Sequence, residues 1–300
     1  MFTEFGPVGN FYEAPRWHEG SWWVSDFYAH RVLRIDTEGS AATVVEVDGQ
    51  PGGLGWLPDG TLLVVSMRDQ QVVRLVGGRV TEYADLAAVF SGWANDMCVT
   101  SAGYAYVSNF GFDLFDPHAV TSRTCVAVVA PGGEVRIAAE DLAFPNACVV
   151  APNGHELIVN ETLASCHTAF TIEDDGTLSR RRLWARLGDP PADPDHALVD
   201  LTYGPDGACF DQMGHLWVAD AFGHRVLLIA EGGEVLRELK MPHGLNAYAC
   251  CLGGATGSTL LVAAAPDHDA TKRASTTESV LLVTEVGSAI AATRSRCREF

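Results

Sequence analysis

Glu13, Asn95, Asn146, Asp206 and Asn246 are residues whose types and spacing could suit metal chemistry. Asn95 stands eight residues before Gly103, Asn146 eight before Gly154, Asp206 eight before Gly214 and Asn246 eight before Gly254. Gly52 holds the same place before Gly60, and Glu13 precedes Gly20 by seven. Five of these six positions carry Glu, Asn or Asp, types that strands disfavour, so the spacing predicts polar side chains gathered where strands begin. Oxygen ligands converging on one point are what a hard divalent cation requires. The same residue types also shape turns at strand entrances, and the spacing alone leaves both roles open.

The elements that must position these residues repeat along the chain. Residues 144–160, FPNACVVAPNGHELIVN, read as a polar residue, a short apolar run, a tight turn and a second apolar run. Variants of this unit recur near Pro15, Gly53, Met97, Ala208 and Tyr248. Helical periodicity is almost absent, and turn signals come every 8 to 12 residues or so, the mark of an all-β protein. Six units of about four strands, at a period of roughly 40 to 60 residues, predict a six-bladed β-propeller around a central channel. A single domain over residues 1–300 follows. Equivalent positions in a propeller surround the axis, so the polar column is expected to ring the channel mouth.

Composition narrows the partners. With 47% hydrophobic and 19% charged residues the chain is not of a disordered class. No apolar run reaches the roughly 20 residues that span a bilayer, and the N-terminal stretch lacks a signal-peptide pattern. A cytoplasmic protein is the expectation. The net charge of -18 argues against nucleic acid or an anionic membrane as partner and leaves a small-molecule substrate; oligomeric state is not legible. The eight cysteines show no CxxC pair. Cys98, Cys148, Cys209 and Cys250 fall at similar places in the repeat and read as small buried hydrophobes.

YEAPRW at 12–17, WAND at 93–96, FPNACVVAPNGHELIV at 144–159 and PDGACFDQMGHLWVAD at 205–220 together resemble the regucalcin and gluconolactonase family of six-bladed propeller lactonases. The resemblance implies one divalent metal ion on the axis, calcium foremost with magnesium, manganese or zinc as alternatives. It implies Glu13, Asn146 and Asp206 as ligands, with Asn95 reaching metal or substrate and Asp96 beside it. Lactone hydrolysis would follow, the metal polarising the carbonyl and Asp206 acting as general base or, alternatively, as nucleophile.

The chain departs from that pattern in ways that bear on substrate. Trp93 stands where the family's sugar lactonases carry an arginine, so a substrate more apolar than a sugar lactone is expected. The segment 108–120, SNFGFDLFDPHAV, is aromatic where those relatives are polar, making Asn109, Phe110, Phe112, Leu114 and Phe115 candidate lid or contact residues. His243 and Asn246 are further candidates for substrate binding, and the Pro- and Asp-rich insertion 188–200 a candidate rim. Two other readings stand beside lactone hydrolysis. One keeps the metal site for organophosphate hydrolysis or a non-hydrolytic reaction on a hydrophobic natural-product intermediate, and the other is a non-enzymatic binding propeller.

Overall fold

The structure is a computed structural model, and it describes residues 1–113, 120–190 and 201–287. Within them the chain forms six four-stranded antiparallel sheets. Blade one comprises β2 (Tyr12–His18), β3 (Ser21–Asp26), β4 (Arg31–Ile35) and β5 (Ala41–Glu46), following β1 (Thr3–Gly9). Blade two comprises β6 (Pro51–Trp56), β7 (Leu62–Ser66), β8 (Gln71–Val76) and β9 (Arg79–Asp85). Blade three is β10 (Ala94–Val99), β11 (Ala105–Asn109), β12 (Thr124–Val129) and β13 (Val135–Leu142). Blade four is β14 (Pro145–Val150), β15 (Glu156–Glu161), β16 (Cys166–Ile172) and β17 (Leu178–Arg186). Blade five is β18 (Pro205–Phe210), β19 (Leu216–Asp220), β20 (Arg225–Ile229) and β21 (Val235–Lys240). Blade six takes β22 (Asn246–Gly253), β23 (Thr259–Ala265) and β24 (Ser279–Glu285), with a short helix α1 (Ala270–Ser275) before its last strand.

Blade six is completed by β1, whose Thr3 pairs with Val283 of β24. The first strand of the chain thus closes the ring as the outermost strand of the last blade. The innermost strands β2, β6, β10, β14, β18 and β22 touch one another in turn around the axis, and β22 returns to β2. This is the six-bladed β-propeller that the repeat predicts.

Residue choice follows position in the blade. Second strands such as β7 (LLVVS) and β19 (LWVAD) are buried along their whole length, because each is covered on both faces by neighbouring blades, as a continuous apolar run predicts. The outer strands β9 and β21 carry mostly exposed residues. The first hairpins turn on glycines with left-handed backbone, Gly154 at φ 74° and Gly214 at φ 81°, a region open to glycine without steric cost. Asn153 and Asp211 lock these turns by accepting from the backbone N–H of His155 and Met213.

One irregularity prepares the site. The pairing of each innermost strand with its neighbour slips near the mouth: between Ala94 and Met97, Pro145 and Cys148, Pro205 and Ala208, and Glu13 and Arg16. A bulge inserts an unpaired residue and re-aims its side chain. Asn95, Asn146 and Asp206 are such inserted residues, and Glu13 immediately precedes one. In blade two a Cβ on Gly52 would lie 2.4 Å from the carbonyl oxygen of Asn95, so that place in the ring admits no side chain.

Blade six corrects the column. Its first hairpin is longer, and Gly257 rather than Gly254 donates the N–H that closes the turn, to Gly254 O. The slip in pairing falls between Ala247 and Ala249, so Tyr248 takes the place given above to Asn246. The thiol series shifts with it: Cys251, not Cys250, joins Cys98, Cys148 and Cys209 around the channel, while Cys250 is buried against blade five and donates to Gly207 O.

Candidate active site

A cavity of about 70 Å³ opens at the end of the channel where the bulges lie, and Glu13, Asn95, Asn146 and Asp206 all line it. The bulged backbone brings four side chains from blades one, three, four and five to one place. Asn95, Asn146 and Asp206 are 8%, 7% and 8% exposed, so they have left bulk water and depend on one another for hydrogen bonds.

Those bonds run in a chain. Asn95 Nδ2 donates to Asn146 Oδ1 at 3.0 Å, Asn146 Nδ2 to Thr162 Oγ1 at 3.3 Å, and Thr162 Oγ1 to Pro205 O at 2.8 Å. Asn160 Nδ2 donates to the backbone oxygen of Asp206 at 2.6 Å, fixing the bulge that presents the carboxylate. Glu13 Oε2 accepts from the N–H of Ala14 at 3.1 Å. Behind Asn160, the imidazole of His167 bridges its Oδ1 and the Tyr203 hydroxyl, each at 2.6 Å. Burial pushes the His167 pKa down to about 3, so this support stays neutral.

The electrostatics describe a site short of positive charge. Burial raises the Glu13 carboxyl to about 8, partly offset by the Ala14 N–H, and the nearby Asp96 charge adds to the rise. Asp206 is held well above the usual carboxylate range by burial first, then by the charges of Glu13 and Asp96, against the N–H donors of Asn146 and Gly207. Among the described residues no Lys or Arg lines the cavity. Tyr248 lines the same cavity, and its buried hydroxyl forms no hydrogen bond among the described residues, although Asn246, whose Nδ2 donates to Pro266 O, comes near it. Two carboxylates, two carboxamides and an orphaned hydroxyl form an all-oxygen donor set that fits a hard divalent cation. Among the described residues no group of three or more His, Cys, Asp or Glu could by itself hold a metal ion, and the floor carries neither of the donors, imidazole and thiolate, that typify structural zinc sites.

Above this polar floor the walls are aromatic. Phe11, Phe27, Tyr28, Phe110, Phe144 and Phe222 line the cavity, Phe110 standing edge-on to Phe144 at 5.1 Å. Phe11, Phe27, Phe144 and Phe222 were not expected from the sequence, although Phe11 and Phe144 each stand two residues before a column position and extending the column would have found them. His268, on the segment between β23 and α1, completes the rim beside Phe222 and Tyr248.

The other sequence candidates lie elsewhere. Asp96 does not line the cavity; it accepts from Arg16 Nη2 and from Met97 N, both at 2.7 Å, and acts on the site through its charge. Trp93 lies in a side pocket under the guanidinium of Arg68, 5.2 Å from the ring centre. Asn109 is fully buried, its Nδ2 donating to Cys125 O and its Oδ1 accepting from Gly111 N and Thr124 Oγ1, so it ties down the loop. Phe112 is buried against Phe144 at 5.8 Å and does not reach the cavity. His243 is exposed and apart from it. Leu114, Phe115 and most of the 188–200 insertion lie outside the described residues. No helix of the described residues is long and apolar enough to cross a membrane.

Known proteins share this architecture. A regucalcin from Xenopus laevis is 36% identical over 87 residues, a match spanning 28% of this chain and 29% of that protein. Among solved structures, a luciferin-regenerating enzyme superposes with a TM-score of 0.77 at 15% identity, covering 96% of each chain. The calcium-binding regucalcin of Agrobacterium tumefaciens gives 0.73 at 17% identity over 94% of each chain. A gluconolactonase of Xanthomonas campestris gives 0.72 at 20% identity, over 95% of this chain and 89% of that one. At these identities the structural matches speak for the fold. The family profile described as SMP-30/gluconolactonase/LRE-like region matches residues 11–266, and with the propeller and its mouth in place the chain belongs to that family.

Proposed function

We propose that this protein is a divalent-metal-dependent hydrolase of a small lactone or related cyclic ester whose body is more apolar than a sugar. The observation that carries the reading is the cavity itself, in which two buried acids and two carboxamides form the floor and aromatic rings form the walls. Glu13, Asn146 and Asp206, with Asn95, would hold one cation; calcium is the first to test, since one of the structurally similar proteins is a calcium-binding regucalcin. When bound, the ion supplies a Lewis acid for the ester carbonyl and offsets the charge that builds on its oxygen.

The chain's own residues do the rest. Asp206, oriented by the Gly207 N–H and the Asn146 amide, takes a proton from the attacking water as the new C–O bond forms. The ring C–O bond then breaks and the departing oxygen takes the proton back, giving a hydroxy acid. The aromatic walls exclude bulk water and accept an alkyl or aryl substituent by burial. They offer no charged multidentate donor for a polyhydroxylated ring.

Hydrolysis of γ-caprolactone and of gluconolactone by protein stripped with chelator and reloaded with calcium, magnesium or manganese tests both halves of the proposal. Turnover of the alkyl lactone that disappears on chelation and returns with one ion is the expected result. Equal turnover of stripped and loaded protein would end the metal reading, and a preference for gluconolactone would end the apolar one.

A further inference from the structure

We propose that a second pocket beside the channel mouth, formed around Gln50, Arg68, Trp93 and His30, binds the carboxylate of a small organic acid with an apolar body. This pocket measures about 330 Å³, near the lower end of the range for small-ligand sites. Tyr28 lines both it and the axial cavity.

Gln50 is the first reason. It belongs to a ring of residues that stand just before the innermost strands, Phe11, Gln50, Trp93, Phe144 and Gly204. Each offers its carbonyl oxygen to the N–H of a residue following the second strand of its blade, at 2.9 to 3.1 Å. Phenylalanine, tryptophan and glycine serve that backbone role in the other blades, so the fold does not call for an amide at position 50. Yet Gln50 is only 6% exposed, and its carboxamide makes no hydrogen bond to any described residue, facing the pocket instead. An amide held in place without a protein partner has its donors and acceptor available to a ligand that enters the pocket.

Arg68 is the second. Its guanidinium, on an exposed residue, rests over the Trp93 indole and, like those of Arg34 and Arg136, pairs with no acid among the described residues, whereas Arg16, Arg31, Arg225 and Arg273 do. The adjacent acid, Asp69, is occupied by the Ser66 hydroxyl at 2.6 Å. Stacking holds the guanidinium plane in place while leaving its N–H fork available for a planar acceptor. His30 gives its Nδ1 to Asp48 O at 2.9 Å, so it serves as a wall. The small residues Ala270, Thr271 and Ala274 of α1 line the pocket as well, beside the ring of Tyr28.

One guanidinium and one neutral amide match one negative charge, which selects a carboxylate over a phosphate dianion on a protein of net charge -18. The inference does not depend on the hydrolase reading, because none of these residues except Tyr28 belongs to the axial cavity.

Titration calorimetry of the full chain with benzoate and with benzamide, before and after chelation, tests it. Benzoate should bind at one site at least about tenfold more tightly than benzamide, and Arg68→Gln should remove about tenfold of that affinity, the scale of a charge-assisted contact. Gln50→Gly suits the left-handed backbone there, at φ 68°, so its thermal midpoint should hold while benzoate affinity drops severalfold. Chelation should change the benzoate affinity by less than about twofold. The proposal is overturned by absence of saturable binding up to about 20 mM benzoate, by equal binding of the amide, by an Arg68→Gln protein of full affinity, or by loss of binding on chelation. Full affinity in Gln50→Gly would remove that residue from the site.

Discussion

The two ends of the channel are built from the same six strands and differ in every chemical respect. At the mouth, bulged residues gather oxygens, and the carboxyls of Glu13 and Asp206 are driven upward by burial first and then by neighbouring negative charge, Asp96 for Glu13 and both Glu13 and Asp96 for Asp206. At the far end, later residues of the same strands line a cavity of about 500 Å³ with Cys98, Cys148, Cys209, Cys251 and Trp17. Burial lifts the Cys98 thiol to about 12 and Cys148 well above its ordinary value, so these groups stay neutral. Arg16 stands between the ends, donating to Asp96, Leu54 O, Pro15 O and Met97 O and so binding blades one, two and three. The polar mouth residues come from places where the ladder is out of register, and the regular ladder below them supplies packing. A propeller strand can thus carry chemistry at one end and plain core at the other.

That contrast can be broken or sharpened by substitution. Asp206→Asn preserves shape and hydrogen bonding but removes charge and base, and hydrolysis should fall by about three orders of magnitude, roughly 4 kcal/mol in the barrier. Steady-state rates with reloaded protein measure this, and a variant within tenfold of the parent would remove Asp206 from the mechanism. Arg16→Met should instead act on the fold, because it leaves Asp96 partly buried and unpaired at a cost of about 3 kcal/mol. A calorimetric midpoint that does not move would show that the pair is dispensable.

The mouth should also make cation-free stability depend on pH. Glu13 is raised from 4.5 to about 8 in the fold. Its share of stability is therefore complete below its unfolded pKa and is lost as pH rises through the interval up to about 8. Melting temperature in chelator should decline across that interval, and saturating calcium should restore it most at the alkaline end. A flat profile in chelator would contradict the burial of these acids. The smallest effect belongs to the far end: Cys98→Ala should cost about 1 kcal/mol or less and leave turnover unchanged. Native-state alkylation of these thiols at pH 8 should be slow.

The sequence made the ring of blades legible because turn glycines keep a constant distance from the bulge in blades three, four and five. It misplaced blade six, where the hairpin is longer and Asn246 inherited a position that belongs to Tyr248. The carboxylates and carboxamides were readable because strands seldom tolerate them without reason. Thr162, Tyr28 and Phe222 were not, since they stand just after second strands, a repeated place that the count along the innermost strands does not reach, and His268 comes from a segment found in blade six alone among the described residues. Trp93 and Phe112 were judged by their apolar character, which does not tell whether a ring faces a cavity or its neighbours. The side pocket left no mark at all, because Gln50 and Arg68 look like ordinary loop residues until the blades close.

The pairing of Thr3 with Val283 has a consequence for assembly. Blade six reaches four strands only when the first strand of the chain finds the last, and Glu13 and Tyr248, from opposite ends of the chain, share one cavity in the closed ring. Contacts between such distant parts of a chain form slowly, so a newly made chain would complete the mouth of its channel in one late step. Clipping the first nine residues would take away none of the four polar side chains at the mouth and still loosen the arrangement they share.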